Sequence, residues 1–298
     1  MNVICSILYP VRIGGNPVLR WQRGMFAGKA EYAIWITGMA DTPYIILTMK
    51  WGTLYGADYV NVLYNAFGKY LDHPFRFICM TDDADGIVDG VEILPIPEMD
   101  LGADHFAFGG WPKLSVFKAD LFGLKGRALF VDLDTVIVGD MKPMLEAVGG
   151  VVLIREWKRF VDHFRPRRVN GMTSIFAFTL GEQTQIYDKF MENPAFAFEN
   201  YRSEQRWVTD YATDMQFWGA KQVVSFKRDL LAPPLFNRFI APKSPDPETA
   251  VVVFHGVPRP IDVVPDNNKP WGKWSRWGRG PVKFVRDFWI ENGGSDPT

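Results

Sequence analysis

The chain has 298 residues, 47% of them hydrophobic and 22% charged, with a formal net charge of −1. That is enough apolar material for one large core or two small ones. The near-neutral balance argues against nucleic acid as the main partner, and no run reaches the ~18 apolar residues of a membrane span. Cys5 and Cys79 are the only cysteines, which excludes a disulfide scaffold or a cysteine-rich metal site and points to a reducing, cytoplasmic setting.

Residues 1–42 show no sustained helical or strand periodicity. The apolar run Val3 to Tyr9 has no basic residue before it and no small-residue cleavage site after it, so it reads as an extension of uncertain order rather than a secretion signal. From Tyr44 the pattern becomes regular. Tyr44 to Met49 reads as a strand, and after Trp51-Gly52 the residues Val60, Leu63, Tyr64 and Phe67 recur at helical spacing, with Gly68 as the expected stop. Phe75 to Met80 and Val91 to Leu94 are further strands, the first running into Thr81-Asp82-Asp83. This βαβ beginning predicts a doubly wound α/β sheet. The stretch Asp100 to Gly110 reads as a loop or lid. Trp111-Pro112-Lys113-Leu114 then opens a helix, where Lys113 opposes the helix dipole. Such a cation either faces a bound anion or snorkels to water.

The central stretch is Arg127 to Thr135, an apolar strand ending in Asp132-Leu133-Asp134. Successive strand side chains alternate faces, so the two carboxylates share one, or converge if the chain turns there. Buried unpaired charge costs several kcal/mol. The pair therefore calls for solvent, a proton or a hard divalent ion such as Mn²⁺ or Mg²⁺ carrying phosphates. Further on come a short helix near Pro143 to Val148, strands at Val151 to Ile154 and Thr173 to Phe178, and a basic tract from Lys158 to Arg168. Helices follow at Gln183 to Met191 and from Glu204, then strands at Val223 to Phe226 and Val251 to Phe254. The last strand leads into His255-Gly256, a possible third metal ligand, with Pro258-Arg259-Pro260 beside it. In the tail Lys269, Lys273, Arg276, Arg279, Lys283 and Arg286 alternate with Trp271, Trp274, Trp277, Phe284 and Trp289. The mixture suits either a surface on anionic lipid or a helix packing its tryptophans on the domain.

In order, Trp51, Tyr55-Gly56-Ala57, Thr81-Asp82-Asp83, Lys113-Leu114, Asp132-Leu133-Asp134, Glu204-Gln205 and His255-Gly256 with Arg259 resemble the nucleotide-sugar glycosyltransferases of family 8, the family of glycogenin and the bacterial galactosyltransferases. The resemblance spans about residues 45–271. It departs at Glu204, where the family has Asp, and at Arg259, where it has Lys. It implies a single GT-A domain over residues 43–298 and a sugar moved with retention from a nucleoside-diphosphate donor, UDP first, to a glycan or lipid-linked acceptor. By the same resemblance Asp132, Asp134 and His255 hold Mn²⁺ or Mg²⁺. Trp51, Tyr55, Asp82, Lys113, Gly256 and Arg259 bind the donor, while Glu156, Glu204 and Gln205 face the transferred sugar and the acceptor. Two rivals remain at this level: a haloacid dehalogenase-like phosphohydrolase with Asp132 as nucleophile, and a sugar-nucleotide-binding relative without turnover.

Overall fold

The computed structural model describes residues 4–13, 16–25, 42–157, 168–233, 236–237, 239–271 and 278–297. They fall in two units, Met1–Thr42 and Pro43–Thr298. The first unit is a hairpin of two ten-residue strands, β1 (Ile4–Ile13) and β2 (Asn16–Met25), antiparallel from Ile4 opposite Met25 to Ile13 opposite Asn16. Strand structure was not expected here. Pro10 and Pro17 stand at two rungs and Gly24 at a third, and these break the alternation by which a strand is recognised.

The second unit is built on seven strands: β3 (Tyr44–Lys50), β4 (Phe75–Thr81), β5 (Glu92–Leu94), β6 (Arg127–Val131), β8 (Val151–Arg155), β9 (Gly171–Thr179) and β10 (Met215–Phe217). Their order is β10-β8-β9-β6-β3-β4-β5. All run parallel except β9, which is antiparallel to both β6 and β8. Both faces are covered, so the strands read as unbroken apolar runs. Ile46, Leu129, Val131 and Ile175 feed one core cluster, and Leu47, Ala128, Phe130 and Phe176 the other. The helix Ala57–Tyr70 packs in the first. On the opposite face lie a 3-10 helix at Trp111–Phe117 and helices Thr184–Glu192 and Glu204–Tyr211. A smaller sheet, β11-β12-β7, pairs β7 (Thr135–Ile137), β11 (Val223–Ser225) and β12 (Val251–Val253).

Several boundaries differ from expectation. The first helix runs through the exposed Gly68 to Tyr70, because a glycine costs a helix only about 1 kcal/mol and Phe67 and Leu71 on either side are buried. The stretch 100–110 carries a short helix, Ala103–Ala107. Two three-residue strands, β7 and β10, and the helix Pro194–Asn200 were not expected; Asn193 caps that helix by accepting the Phe196 N–H at 3.1 Å. Of the basic tract, residues 158–167 lie outside the described residues. In the tail a helix forms at Lys283–Glu291, and Trp271 and Trp289 are buried in the core. Lys273, Trp274, Arg276 and Trp277 lie outside the described residues. Among the described residues no helix is long and apolar enough to cross a membrane.

Candidate active site

The chain leaves the large sheet for the small one at Asp132-Leu133-Asp134. Strand β6 ends at Val131, the Asp132 N–H donates to Ser174 O at 2.8 Å, and the Thr135 N–H returns to Asp132 O at 3.2 Å, closing a turn before β7. Leu133 is buried in the core, so Asp132 and Asp134 flank an anchored residue and are both part-exposed. The crevice beyond the carboxyl ends of parallel strands is where open α/β sheets bind ligands.

Each carboxylate has a donor from the chain itself. Lys113 Nζ lies 2.9 Å from both oxygens of Asp132 and 3.3 Å from Glu204 Oε1. Lys113 is 8% exposed and Glu204 2%. The sequence left Lys113 facing a phosphate or reaching for water; the fold gives it two carboxylate partners. Glu204 is anchored further by the Thr173 hydroxyl, which donates to Oε1 at 2.6 Å. Burial alone would lower the Lys113 pKa, yet the charges of Asp132 and Glu204 raise it above the usual lysine range. Asp134 accepts the Tyr55 hydroxyl at 3.1 Å. Burial first, and then the charge of Asp132, push its carboxyl up to about 7. Burial and Asp134 likewise raise the Tyr55 phenol.

His255 comes from a distant part of the chain by way of β12. Antiparallel pairing sets Val253 opposite Thr135, next to Asp134. The imidazole stands edge-on to Trp157, with ring centres 5.2 Å apart, and the backbone carbonyl of His255 accepts from Lys227 Nζ. Its Nε2 is buried and has no hydrogen-bond partner among the described residues. Burial, then Lys227 and Arg228, hold the ring down at about 4, so it is neutral at physiological pH and able to ligate a metal. Among the described residues no three His, Cys, Asp or Glu side chains stand close enough to hold an ion. The donor types nevertheless fit a hard divalent cation: two crowded carboxylates and, on the adjoining strand, a neutral imidazole with an orphaned nitrogen.

The remaining expected residues sit mostly in loops at strand ends. Trp51, just past β3, donates Nε1–H to Phe106 O at 2.8 Å, and Asp82, just past β4, accepts the Gly52 N–H at 2.9 Å. Arg259 reaches across to Leu54 O at 3.2 Å and pairs with Asp262 at 3.4 Å, tying the loop after β12 to the loop after β3. At Gly256 no atom of the described residues lies within 4 Å of where a β-carbon would stand, which leaves its backbone open to a ligand. Glu156, just past β8, accepts from Asn170 Nδ2 at 2.7 Å. Gln205 is part-exposed beside the buried Glu204. Sequence reasoning missed Thr173 and the buried Lys50, which donates to Asp83 O at 2.8 Å. A lysine closing an apolar strand was a visible signal for Lys50; nothing in the sequence marked Thr173.

No family profile and no curated protein matches the sequence. Solved structures do. A galactosyltransferase, LgtC, in complex with donor and acceptor sugar analogues superposes with a TM-score of 0.53 at 12% identity, over 85% of this chain and 98% of that one. An active-site mutant of the same enzyme gives 0.51 at 12% identity, over 85% and 96%. The glycosyltransferase GlyE of Streptococcus pneumoniae gives 0.50 at 11% identity, over 86% of this chain and 62% of that one. At such identities the likeness is one of fold, and the GT-A architecture expected from the sequence is the one found.

Proposed function

We propose that the chain is a metal-dependent glycosyltransferase. It would move a sugar from a nucleoside-diphosphate donor, UDP-linked first, to a glycan or lipid-linked acceptor with retention of configuration. The observation that carries this reading is the cluster at the end of β6: Asp132 and Asp134 in a turn and Lys113 between Asp132 and Glu204, with His255 two residues past the β12 rung that faces Thr135. It lies on a fold shared with an enzyme solved with donor and acceptor sugar analogues.

Asp132, Asp134 and His255 would hold Mn²⁺ or Mg²⁺, which as a Lewis acid supports the negative charge of a departing nucleoside diphosphate. The chain's own cations add to this. Lys113 lies against Asp132 and Arg259 spans two of the strand-end loops, so both can meet charge that grows on the leaving group. Trp51, Tyr55 and Asp82 stand after β3 and β4, where the nucleoside would lie, and the open Gly256 backbone allows a phosphate close approach. Glu156 and Gln205 face the transferred sugar and the acceptor. Glu204 takes a different part from the one its sequence position suggested. Its carboxylate is sunk behind Lys113 and occupied by Thr173, which suits holding Lys113 rather than touching sugar. Retention would follow from acceptor attack on the face the nucleotide leaves, within a short-lived ion pair.

A panel of nucleotide sugars with Mn²⁺ and with chelator, scored for released nucleotide and transferred sugar, tests the reading. Release from at least one donor, abolished by chelation, is expected. Turnover of simple phosphomonoesters would instead favour a phosphohydrolase using Asp132, and donor binding without release a relative that has lost catalysis.

A further inference from the structure

Two glycines precede the Lys113 turn, and both lie in the left-handed region: Gly109 at φ 85° and Gly110 at φ 65°. A β-carbon on Gly110 would stand 2.8 Å from Glu204 Cδ and 2.9 Å from each of its carboxylate oxygens. That is closer than carbon and oxygen approach without bonding, so one of the two would have to move. Glu204 is poorly placed to yield. It is 2% exposed, its Oε1 is engaged by Thr173 and Lys113, and its own N–H donates to Gly109 O at 3.0 Å. On the other side the Lys113 N–H donates to Gly110 O at 3.1 Å. The glycine pair thus joins the start of the helix bearing Glu204 to the turn bearing Lys113.

We propose that Gly110 is a positioning residue: its missing side chain makes room for a glutamate at 204, whose carboxylate then holds Lys113 against Asp132. Aspartate, one methylene shorter, would leave that space empty and reach Lys113 less well. Gly110 and Glu204 should therefore behave as one coupled unit, acting on the reaction through Lys113. The activity arm of the test rests on the transferase reading; the stability arm does not.

The test is a double-mutant cycle with Gly110→Ala, Glu204→Asp and the combination. Gly110→Asn is made in both backgrounds as well, because asparagine tolerates the left-handed region better than alanine and so separates collision from backbone strain. With Glu204 present, either substitution at Gly110 should lower the thermal midpoint by several degrees and cut kcat for nucleotide release at least tenfold. With aspartate at 204, the same substitutions should lower the midpoint by less than half as much and change kcat less than twofold. Equal losses in the two backgrounds would overturn the proposal. If the single variants at Gly110 do not fold, soluble double variants uphold the coupling, and double variants that fail alike refute it. Should the unmodified protein release nucleotide from no donor, the transferase reading falls, while the midpoints still decide whether Gly110 and Glu204 are coupled.

Discussion

Asp134 ties the stability of the fold to pH. Its carboxyl titrates at about 7 in the folded chain, against ~3.9 when unfolded. The folded state therefore keeps a proton that the unfolded state gives up, and this contribution to stability is lost as pH rises from ~4 to ~7. Asp134→Asn removes the penalty. At pH 8 the variant without metal should be more stable than the unmodified chain by about 2 kcal/mol, a figure discounted for partial exposure, and the gap should close near pH 4. His255, held at about 4, works in the opposite sense: its contribution is full above ~6.5 and is lost as pH falls toward 4. It is common to both chains, so to first order it cancels in the comparison. Urea midpoints from pH 4 to 8.5 check this, and a pH-independent gap would contradict it. Lys113→Met should behave differently, because it leaves the buried Glu204 and the part-exposed Asp132 without their cation, at a cost of about 3–5 kcal/mol. A loss under ~1 kcal/mol in urea denaturation at pH 7 would mean that the buried pairs do not hold the site together. The two carboxylates were legible in the sequence because nothing apolar explains charge at the end of a buried run. Lys113 was legible as a cation out of place, but its partners were not: Asp132 and Glu204 lie 19 and 91 positions further along (132 − 113 and 204 − 113), and only the closed sheet brings them together.

Elements carried by strong periodicity were legible, and those made by tertiary pairing were not. β3, β4, β6, β8 and β9 are runs of buried apolar residues that the sequence displays openly. β7 and β10 have three residues each; such segments become strands because a neighbour supplies the ladder. For β7 that neighbour is β12, the strand that leads into His255, so the pairing that sets this part of the chain next to the Asp132–Asp134 turn is among the least visible in the chain. The tail gives a second case. Its alternating cations and aromatics allowed either a membrane surface or a packed helix, and burial of Trp271 and Trp289 favours the latter for these two rings. Trp289 lies 4.9 Å, ring centre to ring centre, from Tyr59, itself 4.9 Å from Tyr55. Trp289→Ala should cost about 3–5 kcal/mol of stability. Lys283→Ala, which breaks only an exposed pair with Asp287, should cost under ~0.5 kcal/mol. Comparable losses for the two would contradict a packed helix.

At the scale of the molecule, the doubly wound arrangement was legible from its βαβ beginning, whereas the reversal of β9 was not, since a strand buried on both faces carries no mark of its direction. Among the described residues, the second unit, Pro43–Thr298, holds two core clusters of its own. A chain begun at Pro43 should therefore fold cooperatively with a thermal midpoint unchanged within a few degrees, and insolubility or a larger drop would show that residues 1–42 are needed for stability. The claim on which the functional reading turns is that the turn at the end of β6 holds a metal for donor cleavage. The most direct measurement is Mn²⁺-dependent nucleotide release by the unmodified protein and by Asp134→Asn, each with and without chelator, beside the thermal midpoint of each protein without metal. Release that is lost on chelation and lost in Asp134→Asn, with the variant's fold intact, is the expected result; near-normal release by Asp134→Asn, or release that survives full chelation, would contradict it.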